Sequence, residues 1–173
     1  MEYLVFIGTN SNGKTIINRC SNYGNVKALG ANTYMADAGG IIGDGTCTMT
    51  ITNCYNGGDI YAEKVSYAYV GGIAGRTQTQ SSTTPLTLNR CYSMGKVNAE
   101  NVTANRILGG IGGAVDIPGI TNAYYYNQYE NMPKALRNNN DYEEQNVIGI
   151  DKSFDSFELF IEWLDSTKGE TND

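Results

Sequence analysis

Histidine is absent from the 173 residues of this chain. That excludes a Ser-His-Asp or Cys-His nucleophile, a histidine general base and a His-ligated zinc. Proline is scarce at 3, and charged side chains make up only 17% of the chain, so Asn, Thr, Ser and Gly carry its polarity. Such residues favour turns and left-handed backbone over helices. Lys and Arg number 12 against 18 Asp and Glu, a net charge of −6. A nucleic-acid partner needs clustered basic side chains to release counterions, so none is expected. No apolar run approaches the roughly 18 residues of a membrane span. The apolar opening Tyr3 to Ile7 is too short for a signal peptide and lacks a basic flank, so any export signal is expected outside this sequence.

What is present is glycine, 21 residues, and tyrosine, 13 against 4 Phe. Tyrosine suits half-exposed strands, with its ring base packed and its hydroxyl wet. The length fits about one domain. Repeats dominate it. Ile17-Asn18-Arg19-Cys20-Ser21-Asn22-Tyr23-Gly24-Asn25-Val26 aligns without gaps with Ile51 to Ile60 and with Leu88 to Val97, and a truncated fourth copy runs Ile120-Thr121-Asn122-Ala123-Tyr124. The positions of Cys20, Cys54, Cys91 and Ala123 step by 34, 37 and 32 residues. A second element interleaves with the first. Gly39-Gly40-Ile41-Ile42-Gly43 matches Gly71 to Gly75 and Gly109 to Gly113, and Leu4 to Gly8 lies in the same phase. The chain thus begins and ends part-way through a repeat, which reads as a piece of a longer array.

Each repeat offers three short apolar beats, none of which can bury its face alone. Stacking equivalent beats as parallel strands about 4.8 Å apart gives a continuous core. The predicted fold is mainly β: a parallel β-solenoid, right-handed by the preference of parallel crossovers, with a short C-terminal capping helix. A β-sandwich or barrel of similar hairpins is the alternative. The polar stretches Leu29–Asp37, Thr77–Pro85 and Asn98–Arg106 read as corner loops. Two regions follow: residues 1–130 as repeats, and 131–173 as a cap ending in a frayed tail from Lys168.

The alternation of Ile51-Thr52-Asn53-Cys54-Tyr55-Asn56-Gly57-Gly58-Asp59-Ile60 with Tyr69-Val70-Gly71-Gly72-Ile73-Ala74-Gly75 resembles the GLUG-motif repeat family. Members occur in tandem in large exported bacterial surface proteins, including adhesin-like proteins and accessory regions of immunoglobulin-A-cleaving metallopeptidases. The resemblance covers roughly residues 4–129. It implies a secreted or cell-surface scaffold with a β-solenoid-like fold, and it carries over no catalytic residue.

The repeat positions have structural readings. Ile17, Ile51, Leu88 and Ile120 are expected in one stacked column. Cys20, Cys54 and Cys91 are expected as a buried, unbridged ladder, because Ala123 packs like cysteine yet cannot bridge or ligate. Cys47 stands outside the series and is expected unpaired. Gly24, Gly58 and Gly95 are expected at positive φ. Gly39-Gly40 and Gly71-Gly72 are expected at a close backbone approach, in the repeated segments that end at Gly43, Gly75 and Gly113. Asp44 and Arg76 follow the first two of these, so the glycines do not form a phosphate loop. No asparagine ladder through Asn18, Asn53, Asn89 and Asn122 is expected, because these do not share one register.

A glycosidase needs two carboxylates facing across a cleft. Asp37, Asp44, Asp59 and Asp116 share no repeat column, and Arg76, Arg90 and Lys96 sit in no motif, so they read as scattered solvated charge. No catalytic residue, cofactor or metal is expected. Beyond Tyr129, Asn138 to Asp141 reads as a loop and Asn146 to Ile150 as a strand. Asp155 as N-cap with Glu158 three residues on suggests a capping box. Phe157, Phe160, Ile161 and Leu164 then form one apolar stripe, expected to cover the open end of the stack; a partner-binding helix is the alternative. The expected function is a non-enzymatic module of an exported bacterial surface protein, monomeric, adhesin-like or a spacer, with an unidentified surface ligand such as a host glycan or protein. The alternative is a carbohydrate-binding or carbohydrate-active module using Tyr23, Tyr34, Tyr55, Tyr67, Tyr69 and Tyr92.

Overall fold

A computed structural model describes residues 13–45, 47–77, 86–115, 120–134, 136 and 147–169. The Leu4–Gly8 segment, Asp116, the stretches 78–85 and 137–146 and the tail from 170 lie outside the described residues. The chain is mainly β, with parallel sheets and one short C-terminal helix. In order it forms β1 (Lys14–Asn18), β2 (Ser21–Asn22), β3 (Val26–Gly39), β4 (Ile42–Gly45), β5 (Thr48–Thr52), β6 (Tyr55–Asn56), β7 (Ile60–Gly71) and β8 (Ala74–Thr77). Then follow β9 (Leu86–Ser93), β10 (Val97–Glu100), β11 (Asn105–Gly109), β12 (Gly112–Ala114), β13 (Ile120–Tyr126), β14 (Val147–Ile150) and α1 (Phe157–Gly169).

Successive repeats supply successive strands. One sheet runs β1-β5-β9-β13-β14, with β2 beside β6 and β6 beside β9; a second pairs β7 with β3, β10 and β11; a third runs β12-β8-β4. Every strand pairing among the described residues is parallel. Ile17 lies opposite Ile51, Ile51 opposite Leu88, and Leu88 opposite Ile120, so the expected column forms. Register is strongly specified here because a one-residue slip would turn the whole apolar set outward.

Expectations about local backbone are corrected at several places. The Leu29–Asp37 stretch is not a loop: it lies within β3 and pairs with β7, with one irregularity between Leu29 and Thr33. Backbone pairing to a neighbouring repeat outweighs its polar composition. Asn98–Arg106 is likewise strand at both ends, in β10 and β11, and turns only over residues 101–104. Lys168 still belongs to α1. Nor is the left-handed residue of each bend a glycine. It is the residue before the cysteine column: Arg19 (φ 57), Asn53 (φ 54), Arg90 (φ 54) and Asn122 (φ 49). Asn tolerates this region through local hydrogen bonding. The Gly24, Gly58 and Gly95 column exists for close approach instead: a Cβ on Gly58 would run into the Gly24 carbonyl, and one on Gly95 into the Gly58 carbonyl.

Three apolar clusters result. Ile17, Ile51, Leu88 and Ile120 pack with Ile42, Ile73 and Ile111. Ala38, Ile60, Ala62, Val70, Val97 and Leu108 line the inner side of the second sheet. The third cluster joins Tyr55 and Tyr92 to Phe154, Phe160 and Leu164. This last one corrects the cap. Tyr55 and Tyr92 lie opposite one another across the β6–β9 pair, and Tyr92 lies opposite Tyr124 across β9–β13. Helix α1 lies against this tyrosine column, on the flank of the stack. Phe160 stacks on Tyr92 (centroids 5.1 Å) and Trp163 meets Tyr124 edge-on (5.3 Å). At the C-terminal end it is β14 that continues the first sheet, and Leu136 that bridges to Gly112 in the third. Phe160 and Leu164 are buried as expected, while Phe157 and Ile161 are half-buried. The N-cap is Ser156 rather than Asp155: its hydroxyl accepts from the Leu159 N–H at 3.4 Å, and its carbonyl accepts the first helical bond, from Phe160. The shorter serine side chain sits at the residue directly before the helix, where N-cap geometry is satisfied.

Candidate functional site

The interior polar groups are organised by the repeat. Asn22 and Asn56 occupy one repeat position and Ser93 the next copy of it. Asn22 Nδ2 donates to Asn56 Oδ1 (2.8 Å) and to the Gly24 carbonyl (2.7 Å), while Asn56 Nδ2 donates to Ser93 Oγ (3.2 Å) and to the Gly58 carbonyl (2.8 Å). Asn56 and Ser93 are fully buried, and the ladder satisfies them. Three residues on, the Asn25 side chain accepts from the Asp59 N–H and the Asp59 side chain from the Lys96 N–H, both at 2.9 Å. At the bend, Asn53 Nδ2 donates to Asn18 Oδ1 (2.8 Å), and Asn122 Nδ2 to Asn89 Oδ1 (3.1 Å). Asparagine ladders thus exist, though not through the single column considered from the sequence. The shared spacing of Asn22, Asn56 and Ser93 was their available signal.

All four cysteines are free. Cys54 and Cys91 are buried, and Ala123 lies opposite Cys91 in register. Cys20 is only half-buried, which corrects the expectation of a fully buried ladder. Cys47 is buried with its sulfur 3.1 Å from Thr15 Oγ1. Burial pushes the Cys91 thiol well up, whereas a hydrogen bond from Cys91, with backbone bonds, holds Cys54 below the usual thiol range. Among the described residues no group of three His, Cys, Asp or Glu could hold a metal ion.

The acidic residues are not all scattered. Asp37 of β3 and Asp44 of β4 converge on Arg76 of β8, both through Nη2, at 2.9 and 2.8 Å. Register builds the meeting point: Asp44 lies opposite Arg76, and Asp37 opposite Tyr69, whose ring lies 5.4 Å from the guanidinium carbon. The side chains of Asp37 and Arg76 are 14% and 13% exposed, which removes them from the solvated class to which their sequence assigned them. Burial pushes the Asp37 carboxyl up to about 6; Arg76 opposes this, and the Asp44 charge adds to it. The missed signal was the repeat itself, since Asp44 follows Gly43 as Arg76 follows Gly75. Chemically the guanidinium occupies the space between the two carboxylates that a glycoside would need. Of the other charges, Asp59 serves the backbone of the next repeat, and Arg90 pairs with Asp165 of α1 at 3.1 Å.

The tyrosines divide. Tyr55 and Tyr92 are fully buried and their hydroxyls donate to the carbonyls of Phe154 (2.7 Å) and Lys152 (3.0 Å), so neither is a surface platform. Burial pushes the Tyr55 hydroxyl up to about 12 and Tyr92 higher still. Tyr23 and Tyr34 are exposed; Tyr34 packs on half-buried Tyr67, with centroids 4.8 Å apart. An open depression of ≈ 400 Å³ lies at the β10–β11 turn, lined by Ala99, Glu100, Asn101, Val102, Ala104 and Arg106. Among the described residues no helix is long and apolar enough to cross a membrane. No family model, no curated protein and no solved structure matches this chain.

Proposed function

We propose that the chain is a non-enzymatic repeat scaffold: a right-handed parallel β-solenoid module of an exported bacterial surface protein, adhesin-like or a spacer. The observation that carries this reading is the in-register parallel pairing of Ile17, Ile51, Leu88 and Ile120, repeat on repeat. Polar groups that a catalytic site would present are instead spent on the neighbouring repeat, as in the Asn22–Asn56–Ser93 ladder. The surface location rests on the resemblance of residues 51–75 to GLUG repeats. Excision of one repeat tests the scaffold. Deleting residues 54–90 joins Asn53 to Cys91, which occupies the position of Cys54. A solenoid re-closes around that deletion and unfolds cooperatively with a smaller denaturant slope, because less surface is exposed on unfolding. A shortened chain without a cooperative transition would defeat the reading.

A carbohydrate-binding module is the second reading, favoured by the exposed Tyr34 ring against Tyr67 and Tyr69 two residues along the same strand. Aromatic faces suit sugar rings, but they also simply cover a sheet. A glycan array with the intact chain and its Tyr34→Ala variant separates the two. Binding abolished by the substitution favours the sugar module, and no binding to any glycan leaves the spacer.

A further inference from the structure

The Asp37–Arg76–Asp44 cluster goes beyond the scaffold reading and does not depend on it. Asp37 and Asp44 belong to the first repeat and Arg76 to the second, so the cluster ties two repeats together side chain to side chain. One guanidinium serves two carboxylates, leaving a surplus negative charge where Asp37 and Arg76 are mostly enclosed and Asp44 is more open, 35% exposed. Asp37 Oδ1, Asp44 Oδ1 and Arg76 Nε are buried without hydrogen-bond partners. Burying charge and polar atoms without compensation is costly. Among the described residues, the other elements against the cluster bring no second cation. β7 contributes Tyr69, and the third repeat places Ile107 opposite Tyr69 and Ala114 opposite Arg76.

We propose that Asp37, Asp44 and Arg76 form an acid-strengthened joint between the first two repeats, which takes up one proton as the pH falls from neutral to mildly acidic. The proton removes the surplus charge and turns one buried carboxyl oxygen from an unpartnered acceptor into a donor. Burial of Asp37 favours the same site for uptake, at about 6 against an ordinary value of 3.8. The sign follows from linkage. Between those two values the folded chain holds a proton that the unfolded chain has released, so this group's contribution to stability grows as the pH falls through about 6 and is lost as it rises again. Among the described residues no comparable joint links the second and third repeats, where Ile107 and Ala114 stand in place of the charges.

Carbon-13 carboxyl NMR of the intact chain, with urea denaturation of wild type and Asp37→Asn from about pH 7.5 to about pH 5, tests the joint. The amide introduced by that substitution imitates the protonated carboxyl in shape and neutrality. The expected result is an Asp37 carboxyl titrating near pH 6, and a wild-type urea midpoint that rises on acidification relative to the variant. Amide exchange in β4 should slow with it. An Asp37 midpoint below about pH 4.5, or equal pH slopes for both proteins, would overturn the proposal. The NMR titration needs only the wild type, so it decides the matter even if the variant folds poorly.

Discussion

Gly58 shows how a single position can be dictated by the stack. Its φ is unexceptional, yet a side chain there meets the backbone of Gly24 rather than a movable group. Gly58→Ala should therefore lower stability by about 3 kcal/mol or prevent folding, within the range of severe backbone clashes. Asn56 makes the complementary case. Asn56→Ala would leave the buried Ser93 side chain and Gly58 carbonyl, and the half-buried Asn22 side chain, short of a partner, costing about 2–4 kcal/mol. Asn56→Ser should cost less, because Ser93 already fills that position in the next repeat. Urea denaturation of the three variants gives the order directly. Cys54→Ala belongs at the mild end, about 1–2 kcal/mol, since Ala123 fills that position in register with Cys91. A large loss would mean that the thiol of Cys54 does more than pack.

At the scale of elements, α1 and the segment before it are held by the tyrosine column. Two hydroxyls pin residues 152–154, and Phe160 and Leu164 seat the helix on the rings. The cap assignment is testable through neighbours in sequence. Ser156→Ala should destabilise by about 1 kcal/mol, whereas Asp155→Ala should change stability by no more than about 0.5 kcal/mol, because the capping bond belongs to Ser156. Equal effects would mean that Asp155 shares the cap. Removal of residues 151–173 should strip cover from Tyr55 and Tyr92 while leaving β14 in place. Light scattering should then show association at concentrations where the intact chain is monomeric, the outcome expected of an exposed aromatic patch. A truncated chain that stays monomeric would mean the rings need no cover. Alkali should release the helix by another route. The Tyr55 hydroxyl, raised to about 12 from 10, supports the folded state fully below pH 10, and that support is lost as the pH climbs toward 12. Trp163, the only tryptophan, reports the release by a red shift of its fluorescence.

The whole molecule is legible to the extent that its order repeats. Equivalent residues at steps of 34, 37 and 32 pair in the structure as their phase demands, and β14 appears where an apolar run was visible. The repeat-excision experiment tests the same property: a stack whose neighbours are interchangeable should tolerate loss of one. Where repeats diverge in sequence, legibility falls. Polar Leu29–Asp37 looked like a loop because composition reports side chains, while its pairing with β7 is a backbone matter. The repeat phase that sets Asp44 opposite Arg76 says nothing of Asp37, and the register of β3, β4, β7 and β8 is what gathers all three.

By itself, then, the sequence determined the β class and the stacked columns, since each follows from residue type repeated at a fixed phase. Only the tertiary structure decided where the left-handed backbone falls, which asparagines bridge, how Arg76 is shared and which face α1 covers. Those depend on distances between separate repeats, and a side chain's partner there is chosen by geometry rather than by its own chemistry. The helix shows the difference most plainly: its apolar stripe required a docking surface, and Tyr55, Tyr92 and Tyr124, aligned by strand register on the flank, supplied it.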